Sequence, residues 1–284
     1  MCCTLEEAIL SSTVLLAHQV EHEGRMVNII GYQNHAESRG VGPNAMIIPI
    51  PSATPMSQAN CVDMTGAGSV FKDYWDILRP RTRGMSKGVA VAGGLDDSLE
   101  VFDSGSYTVL LTKQVGLTDL REAMAKLPPD KRIELDLQKA KIFSAYRKFY
   151  PDWHIAICIW NGEVKAEPIL WWYDPMPEYV GSHFLPGLDA HDGSPPRFDG
   201  AVAVDHTIVV GAPSERPGWS NADKIVGRAP PHLRKWLPSH VFGEEIGGQL
   251  RNGDWVLPKD GWSGTNSFDR VVTAPRVVPP GVQG

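Results

Sequence analysis

Residues 13–30 read TVLLAHQVEHEGRMVNII. Two runs rich in Val, Ile, Leu and Thr, at 13–17 and 26–30, flank a four-residue segment, His22-Glu23-Gly24-Arg25. Such runs on either side of a short segment with Gly are typical of a β-hairpin. The apolar period around this segment is 2 rather than 3.6, so the pattern predicts strands and not a helix.

Further strands are predicted after this hairpin. They lie at 45–51, 107–111, 155–160, 164–173, 201–204 and 207–210. The prolines of the first of these remove backbone donors, so the end of that strand should lie at a sheet edge or outside the sheet. Asn161-Gly162 separates two apolar runs and is the strongest hairpin signal in the chain.

Helices are predicted at 69–78, at 118–127 with Thr118 as the N-cap, and from near Asp130 to 149. The fold class expected is therefore α+β, with mostly antiparallel sheet or sheets and two or three covering helices. From residue 211 onward Gly, Pro and Trp dominate. We expect an α+β domain at 1–210 and an irregular C-terminal extension at 211–284, packed on that domain or on a partner chain.

Composition excludes several classes of protein. Hydrophobic residues make up 42%, charged residues 21%, and the net charge is −6, which suits a globular chain rather than a disordered or fibrous one. A mildly acidic chain without a basic stripe does not favour nucleic acid as a partner. No run approaches the ~18 apolar residues of a membrane span. Glu6 and Glu7 occupy the place where a secretory signal needs basic residues, so a cytoplasmic location is expected.

Two motifs resemble metal or cofactor sites without meeting their requirements. His18-Gln19-Val20-Glu21-His22 matches H-x-x-E-H, but on a strand its two histidines lie ~13 Å apart, too far to share one zinc ion. Gly66-Ala67-Gly68 precedes a helix, but Phe71 stands where a dinucleotide fingerprint has a small residue. The Cys and His spacings match no standard zinc module, so neither a cofactor nor a metal is expected.

Cys2 is the sharpest candidate for chemistry. Removal of Met1 would leave a cysteine with a free α-amine, which titrates near ~7.7–8.0 and can accept the proton of the thiol beside it. N-terminal nucleophile hydrolases use this arrangement, and their antiparallel α+β layering agrees with the predicted strands. The alternative is that Cys2 and Cys3 pack beneath the hairpin, because free cysteines are among the most buried residues.

The second candidate segment concentrates ionisable groups near strand ends. It contains His191, Asp192, Asp205 and His206. A carboxylate beside an imidazole fixes its tautomer and raises its basicity, as a Cys–His site requires. The alternative is that Asp192 and Asp199, each followed by Gly, only form Asx turns.

The Met-Cys-Cys start, the hairpin, the AMIIPIP run at 45–51 and the segment from His191-Asp192-Gly193 to Phe198-Asp199 also carry a resemblance. Together they resemble a family of uncharacterised bacterial proteins with an MCC opening, a proline-punctuated strand and an HDG turn. The resemblance names no reaction. It implies that Cys2 or Cys3 and His191 belong to one site.

Three functions follow as hypotheses, and the third, a Cys/His metal site, is the one that the residue spacings do not support. The first is a cysteine-dependent hydrolase of amide or ester bonds, with Cys2 or Cys3 as nucleophile and His191 or His206 as base. The second is a non-catalytic binding or assembly protein, because Trp219, Trp236, Trp255 and Trp262 lie in the Gly- and Pro-rich region and Trp is enriched at interfaces. The expected partner is a small molecule or a peptide, with a homo-oligomer as an open alternative.

Overall fold

The computed structural model describes residues 3–78, 94–95, 99–113, 116–198, 200–212 and 214–259. The strands in these ranges are β1 Cys3–Thr4, β2 Ala8–His22, β3 Arg25–Ser38, β4 Pro43–Ile50, β5 Cys61–Val62, β6 Gly94–Leu95, β7 Leu99–Ser104, β8 Tyr107–Thr112, β9 His154–Asn161, β10 Glu163–Tyr173, β11 Ser182–Leu185, β12 Ala201–Ala212, β13 Ser220–Asn221, β14 His240–Arg251 and β15 Trp255–Pro258. The helices are α1 Val70–Leu78, α2 Leu117–Lys126, α3 Leu137–Phe149 and α4 Asp223–Arg228. Of these helices, none has the length and apolar character needed to cross a lipid bilayer.

The strands form two large sheets and one small one. The six-stranded sheet has the order β1-β4-β9-β8-β7-β6, and the seven-stranded sheet has the order β13-β14-β12-β2-β3-β10-β5. β11 and β15 form the small antiparallel pair. Among the described strands, β12 and β2 pair in parallel and the other neighbours pair antiparallel. The prediction of a mixed fold with mostly antiparallel sheets is confirmed.

The alternation of side chains along the strands places the core. In the seven-stranded sheet, Leu15 and Ile30 point into one cluster together with residues of the six-stranded sheet, α2 and α3. Their neighbours Leu16 and Ile29 point into a second cluster, with residues of α1 and α4. Because successive residues of a strand face opposite sides, the seven-stranded sheet is covered on both faces.

The hairpin at 13–30 forms as predicted, with β2 and β3 joined by Glu23 and Gly24 in left-handed conformation. The hairpin predicted at Asn161-Gly162 is wrong. β9 pairs with β4 and β8, whereas β10 pairs with β3 and β5 in the other sheet. Gly162 has φ +66°, so the chain turns there, but it passes from one sheet to the other. Both strands carry apolar residues on both faces and lie inside their sheets, and each finds other partners there.

The helices differ from the prediction at one boundary. α1 and α2 each agree within about one residue with the predicted ranges, but the N-cap of α2 is Gly116, so the prediction of Thr118 as the N-cap is wrong. The predicted helix from Asp130 begins instead at Leu137, because the side chain of Asp136 accepts the backbone N–H of Lys139 and forms the N-cap. Residues Pro129–Lys131 form only a short 3-10 turn.

The irregular extension expected from residue 211 is not what residues 211–259 show. β12 continues to Ala212, and β14 pairs with it over twelve residues, so this part of the chain supplies a long strand of the seven-stranded sheet. A glycine is required at 243 in β14, because a Cβ atom there would lie 2.2 Å from the carbonyl oxygen of Ile208. Trp236 and Trp255 are buried, Trp219 contacts Phe242, and Trp262 lies outside the described residues.

Candidate functional site

The segment 187–194, which contains His191 and Asp192, lies between the start of the chain and the connection from β14 to β15. Cys3 forms a parallel bridge with Ala190, and the backbone N–H of Thr4 donates to the carbonyl of Ala190 at 2.8 Å. Further along, the N–H of Ala8 donates to the carbonyl of His191 at 2.8 Å. The residues that follow Cys3 are therefore fixed beside His191 by backbone hydrogen bonds.

Gly193, the glycine of the HDG turn, permits this close approach. Its φ is +69°, which L side chains rarely adopt. A Cβ atom there would also lie 3.2 Å from both the Cα atom of Glu6 and the carbonyl oxygen of Leu5. A glycine is thus required both by the backbone conformation and by the packing of the turn against the start of the chain.

The other side of the segment is held by two buried polar side chains. The Asn252 Oδ1 atom accepts the N–H of Asp189 at 2.8 Å, and its Nδ2 atom donates to the carbonyl of Asp189 at 2.7 Å. The Asp254 Oδ1 atom accepts the N–H groups of Gly187 and Leu188 at 2.8 and 3.1 Å. The hydroxyl of Tyr150, on the residue after α3, donates to Asp254 Oδ2 at 2.5 Å.

Asp189 and His191 form a carboxylate–imidazole pair. The Nε2 atom of His191 lies 3.0 Å from the Oδ1 atom of Asp189, whose side chain is 5% exposed, whereas that of His191 is 22% exposed. Burial acts to raise the pKa of Asp189, but nearby positive charge and the contact with His191 outweigh it and hold the pKa well below its usual range. Since Nε2 faces the carboxylate, Nδ1 is the ring nitrogen left to accept another proton.

Asp205 and His206 lie on β12, where it pairs with β2. His206 is fully buried opposite Thr13, whereas Asp205 is an exposed residue. Partial desolvation of the carboxyl group raises the pKa of Asp205, and the negative charge of Asp189 adds a smaller effect in the same direction. Asp189 also interacts electrostatically with His206. The contact at 3.0 Å joins Asp189 to His191, and electrostatic interactions link Asp189 to Asp205 and His206.

Asp192 has a local structural role. Its Oδ1 atom accepts the N–H of Ser194 at 3.0 Å and the hydroxyl of Ser194 at 2.5 Å, which is an Asx turn. These hydrogen bonds lower the pKa of Asp192. The Asx-turn alternative thus describes Asp192, while Asp199 lies outside the described residues.

The cysteines divide into three situations. Cys2 lies outside the described residues. Cys3 is fully buried, and its thiol lies 3.9 Å from the carbonyl of Ser194, so β1 brings it to the same segment as His191. Cys158 is buried in the core. Burial raises the pKa of Cys61 to about 12, so its thiol stays protonated at neutral pH.

The H-x-x-E-H segment lies on β2, as its period predicts. His18 is buried, and its Nε2 atom lies 2.8 Å from the carbonyl of Trp236, so that nitrogen donates. Burial lowers the pKa of His18 to about 4. Within the described ranges, no group of three or more His, Cys, Asp and Glu side chains is arranged to hold a metal ion.

Four residues of this site were missed as candidates in the sequence: Tyr150, Asp189, Asn252 and Asp254. Asp189 could have been found, because residues i and i+2 of an extended segment share a face and His191 is two positions later. Asn252-Gly253-Asp254 resembles an ordinary turn in sequence, and its contacts bridge about sixty residues.

Comparison with protein-family models, with curated proteins and with solved structures finds no match to this chain.

Proposed function

We propose that this protein is a cysteine-dependent hydrolase of amide or ester bonds, in which Cys2 is the nucleophile and His191 the base. The observation that carries the proposal is the bridge between Cys3 and Ala190, which fixes the residue bonded to Cys2 beside the residue bonded to His191. Cys3 itself is fully buried within the apolar core cluster, which favours a packing role for it.

The chemistry needs a thiolate, because a free thiol with a pKa near ~8.5 is only slightly ionised at neutral pH. In the proposed reaction the Nδ1 atom of His191 takes the thiol proton, and the thiolate attacks the substrate carbonyl carbon. The tetrahedral intermediate expels an amine or alcohol, which leaves with the proton from His191. Water then cleaves the thioester and releases the acid and the thiol.

Asp189 supports this role of His191. A carboxylate 3.0 Å from Nε2 favours the tautomer with the proton on that nitrogen, so Nδ1 carries a lone pair. If Met1 is removed, the α-amine of Cys2 becomes a second base for the same thiol. His206 is fully buried and would contribute to the electrostatics around Asp189 rather than contact a substrate.

The test combines intact mass with the rate of alkylation by iodoacetamide, followed at each cysteine by peptide mapping. We expect Cys2 to react fastest, and His191→Ala to slow it about tenfold. The matched control is His232→Ala, because His232 is also beside a carboxylate, that of Asp63 at 4.0 Å, on another part of the surface. Equal alkylation rates in the His191→Ala variant and the unchanged protein would contradict the proposal. The mass shows whether Met1 is present and hence whether the α-amine can take part.

A separate observation favours the alternative, a non-catalytic binding protein. The indoles of Trp172 and Trp236 are stacked, with centroids 6.2 Å apart, and the Lys235 ammonium lies 4.4 Å from the Trp236 ring. Trp236, Lys235 and His232 line an open cavity of about 470 Å³ that would suit a small molecule or a peptide side chain. Two results together would favour this function. The alkylation rate of each cysteine would be the same in His191→Ala as in the unchanged protein, and tryptophan fluorescence would change when a peptide library is added.

A further inference from the structure

We propose that Asn252 is a positioning residue for the Asp189–His191 pair, an inference that rests on the proposed hydrolase function. Asn252 contacts neither imidazole nor cysteine in the hydrogen bonds described above. It acts through the backbone of Asp189, because its side chain forms hydrogen bonds with both the N–H and the carbonyl of that residue.

Both N–H groups of the Asn252 amide and its oxygen have backbone partners. Oδ1 accepts the N–H of Asp189, and Nδ2 donates to the carbonyls of Asp189 and Arg197 at 2.7 and 2.9 Å. The residue is 1% exposed, so water does not compete for these groups. A buried amide with all its partners fixed adopts one orientation.

Asn252 also connects the Asp189–His191 pair with β12. Its own backbone N–H donates to the carbonyl of Gly200 at 2.9 Å, immediately before β12, the strand that carries Asp205 and His206. Its side chain holds Asp189. Asn252 therefore links the Asp189–His191 pair to the start of the strand that carries Asp205 and His206.

Asn252 acts on the carboxylate indirectly, because a fixed backbone at Asp189 fixes the direction of its Cα–Cβ bond. With both its N–H and its carbonyl bound to one amide, the peptide planes on either side of Asp189 cannot rotate. The carboxylate then points toward His191 Nε2, and His191 is held with Nδ1 available. A small error in such positioning has a large effect on a reacting group.

The test uses Asn252→Ala in the full chain, with two readouts. The first is the ¹⁵N NMR signature of the His191 tautomer at pH 8.5. The second is the alkylation rate of Cys2. We expect the unchanged protein to show the proton on Nε2, and Asn252→Ala to show a mixture of tautomers with alkylation about tenfold slower. The double variant with His191→Ala should be no slower than His191→Ala alone.

The matched control is Asn60→Ala. Asn60 is also buried and also binds backbone on two sides, accepting the N–H of Ser57 at 2.9 Å and donating to the carbonyl of Trp172 at 3.0 Å. It should lower the melting temperature but leave tautomer and alkylation rate unchanged. If Asn252→Ala does not fold, Asn252→Asp keeps the shape and loses both donated hydrogen bonds, so it should give the same two changes.

The outcomes separate the two proposals. An unchanged tautomer in Asn252→Ala or Asn252→Asp overturns the positioning role, whatever the cysteine does. A changed tautomer without any dependence of alkylation on His191 supports the positioning role and contradicts the hydrolase. Equal effects from Asn60→Ala would show that general loss of stability, rather than the contact with Asp189, is responsible.

Discussion

The Nε2 atom of His191 lies 3.0 Å from the Oδ1 atom of Asp189, and one of these groups is buried while the other is partly exposed. A buried carboxylate that remains ionised needs a partner, because desolvation strongly disfavours the charge. The imidazole supplies that partner and keeps an accessible edge. The pair therefore combines the buried charge of Asp189 with the partly exposed imidazole of His191, whose Nδ1 atom a second group can reach.

Replacing Asp189 by Asn should uncouple the imidazole from the carboxylate without changing the size of the side chain. We expect Asp189→Asn to slow the His191-dependent alkylation of Cys2 about tenfold, to the rate of His191→Ala. Asp63→Asn is the control, since Asp63 lies beside His232. A rate in Asp189→Asn equal to that of the unchanged protein would show that the carboxylate does not orient His191.

Gly193→Ala should destabilise the protein in two ways. The left-handed backbone costs roughly 1–2 kcal/mol for an L residue, and the new Cβ atom would lie 3.2 Å from Glu6 and Leu5. Gly162→Ala is matched in backbone, with φ +66°, and has nothing within 4 Å of a Cβ atom. Urea unfolding should therefore show a larger loss for Gly193→Ala than for Gly162→Ala. Similar losses would mean that the turn does not pack tightly on the start of the chain.

Tyr150→Phe removes a hydroxyl that donates to a buried carboxylate. Hydrogen bonds to charged groups contribute about 1.5–3 kcal/mol, against about 0.5–1.5 kcal/mol for neutral ones. Tyr74→Phe is the matched variant, because the hydroxyl of Tyr74 donates to the carbonyl of Pro238 at 3.0 Å. The free energy of unfolding should fall more in Tyr150→Phe. The reverse order would contradict an ionised Asp254.

Acid should destabilise the folded protein through its buried histidines. Burial lowers the pKa of His18 to about 4 and that of His183 to about 3, from 6.5 in the unfolded chain. The unfolded chain therefore binds protons first as the pH falls, and stability is greatest above pH 6.5 and declines below it. Each histidine should contribute a loss of about 1.4 kcal/mol between pH 7.5 and pH 5.5.

Urea unfolding of His18→Gln at both pH values checks this prediction. A glutamine retains an N–H donor for the carbonyl of Trp236 but does not titrate, so the loss of stability should be smaller by about 1.4 kcal/mol. Tyr74→Phe is the control, because it removes a buried hydrogen bond to the carbonyl of Pro238 but no group that titrates between pH 5.5 and pH 7.5. An identical pH dependence in His18→Gln and the unchanged protein would contradict a neutral His18 in the folded state.

Elements with a strong local period could be predicted from the sequence. The β2–β3 hairpin follows from alternating apolar residues and a turn with Gly24, and α1 follows from apolar residues on one helix face. The sheet to which a strand belongs has no local signal, which is why β9 and β10 were paired wrongly. β14 was missed because Gly243, Gly247 and Gly248 weaken the strand pattern, although the close approach to Ile208 requires a glycine at 243.

The site could be predicted in part. His191, Asp205 and His206 were singled out from the density of ionisable groups near strand ends, and in the structure each of them interacts with Asp189. The contributions of Tyr150, Asn252 and Asp254 depend on contacts between distant parts of the chain. Such contacts arise from the packing of whole elements, so no motif around these residues indicates them.

The parallel pairing of β2 with β12 has a consequence for synthesis on the ribosome. Thr13 emerges early, but its partner His206 is made only after most of the chain. Until then one edge of β2 has unpaired backbone groups and an apolar face, which is the kind of segment that aggregates or recruits chaperones. Nascent chains stalled before residue 201 should therefore be protease-sensitive, and those that include β14 should acquire resistance in one step.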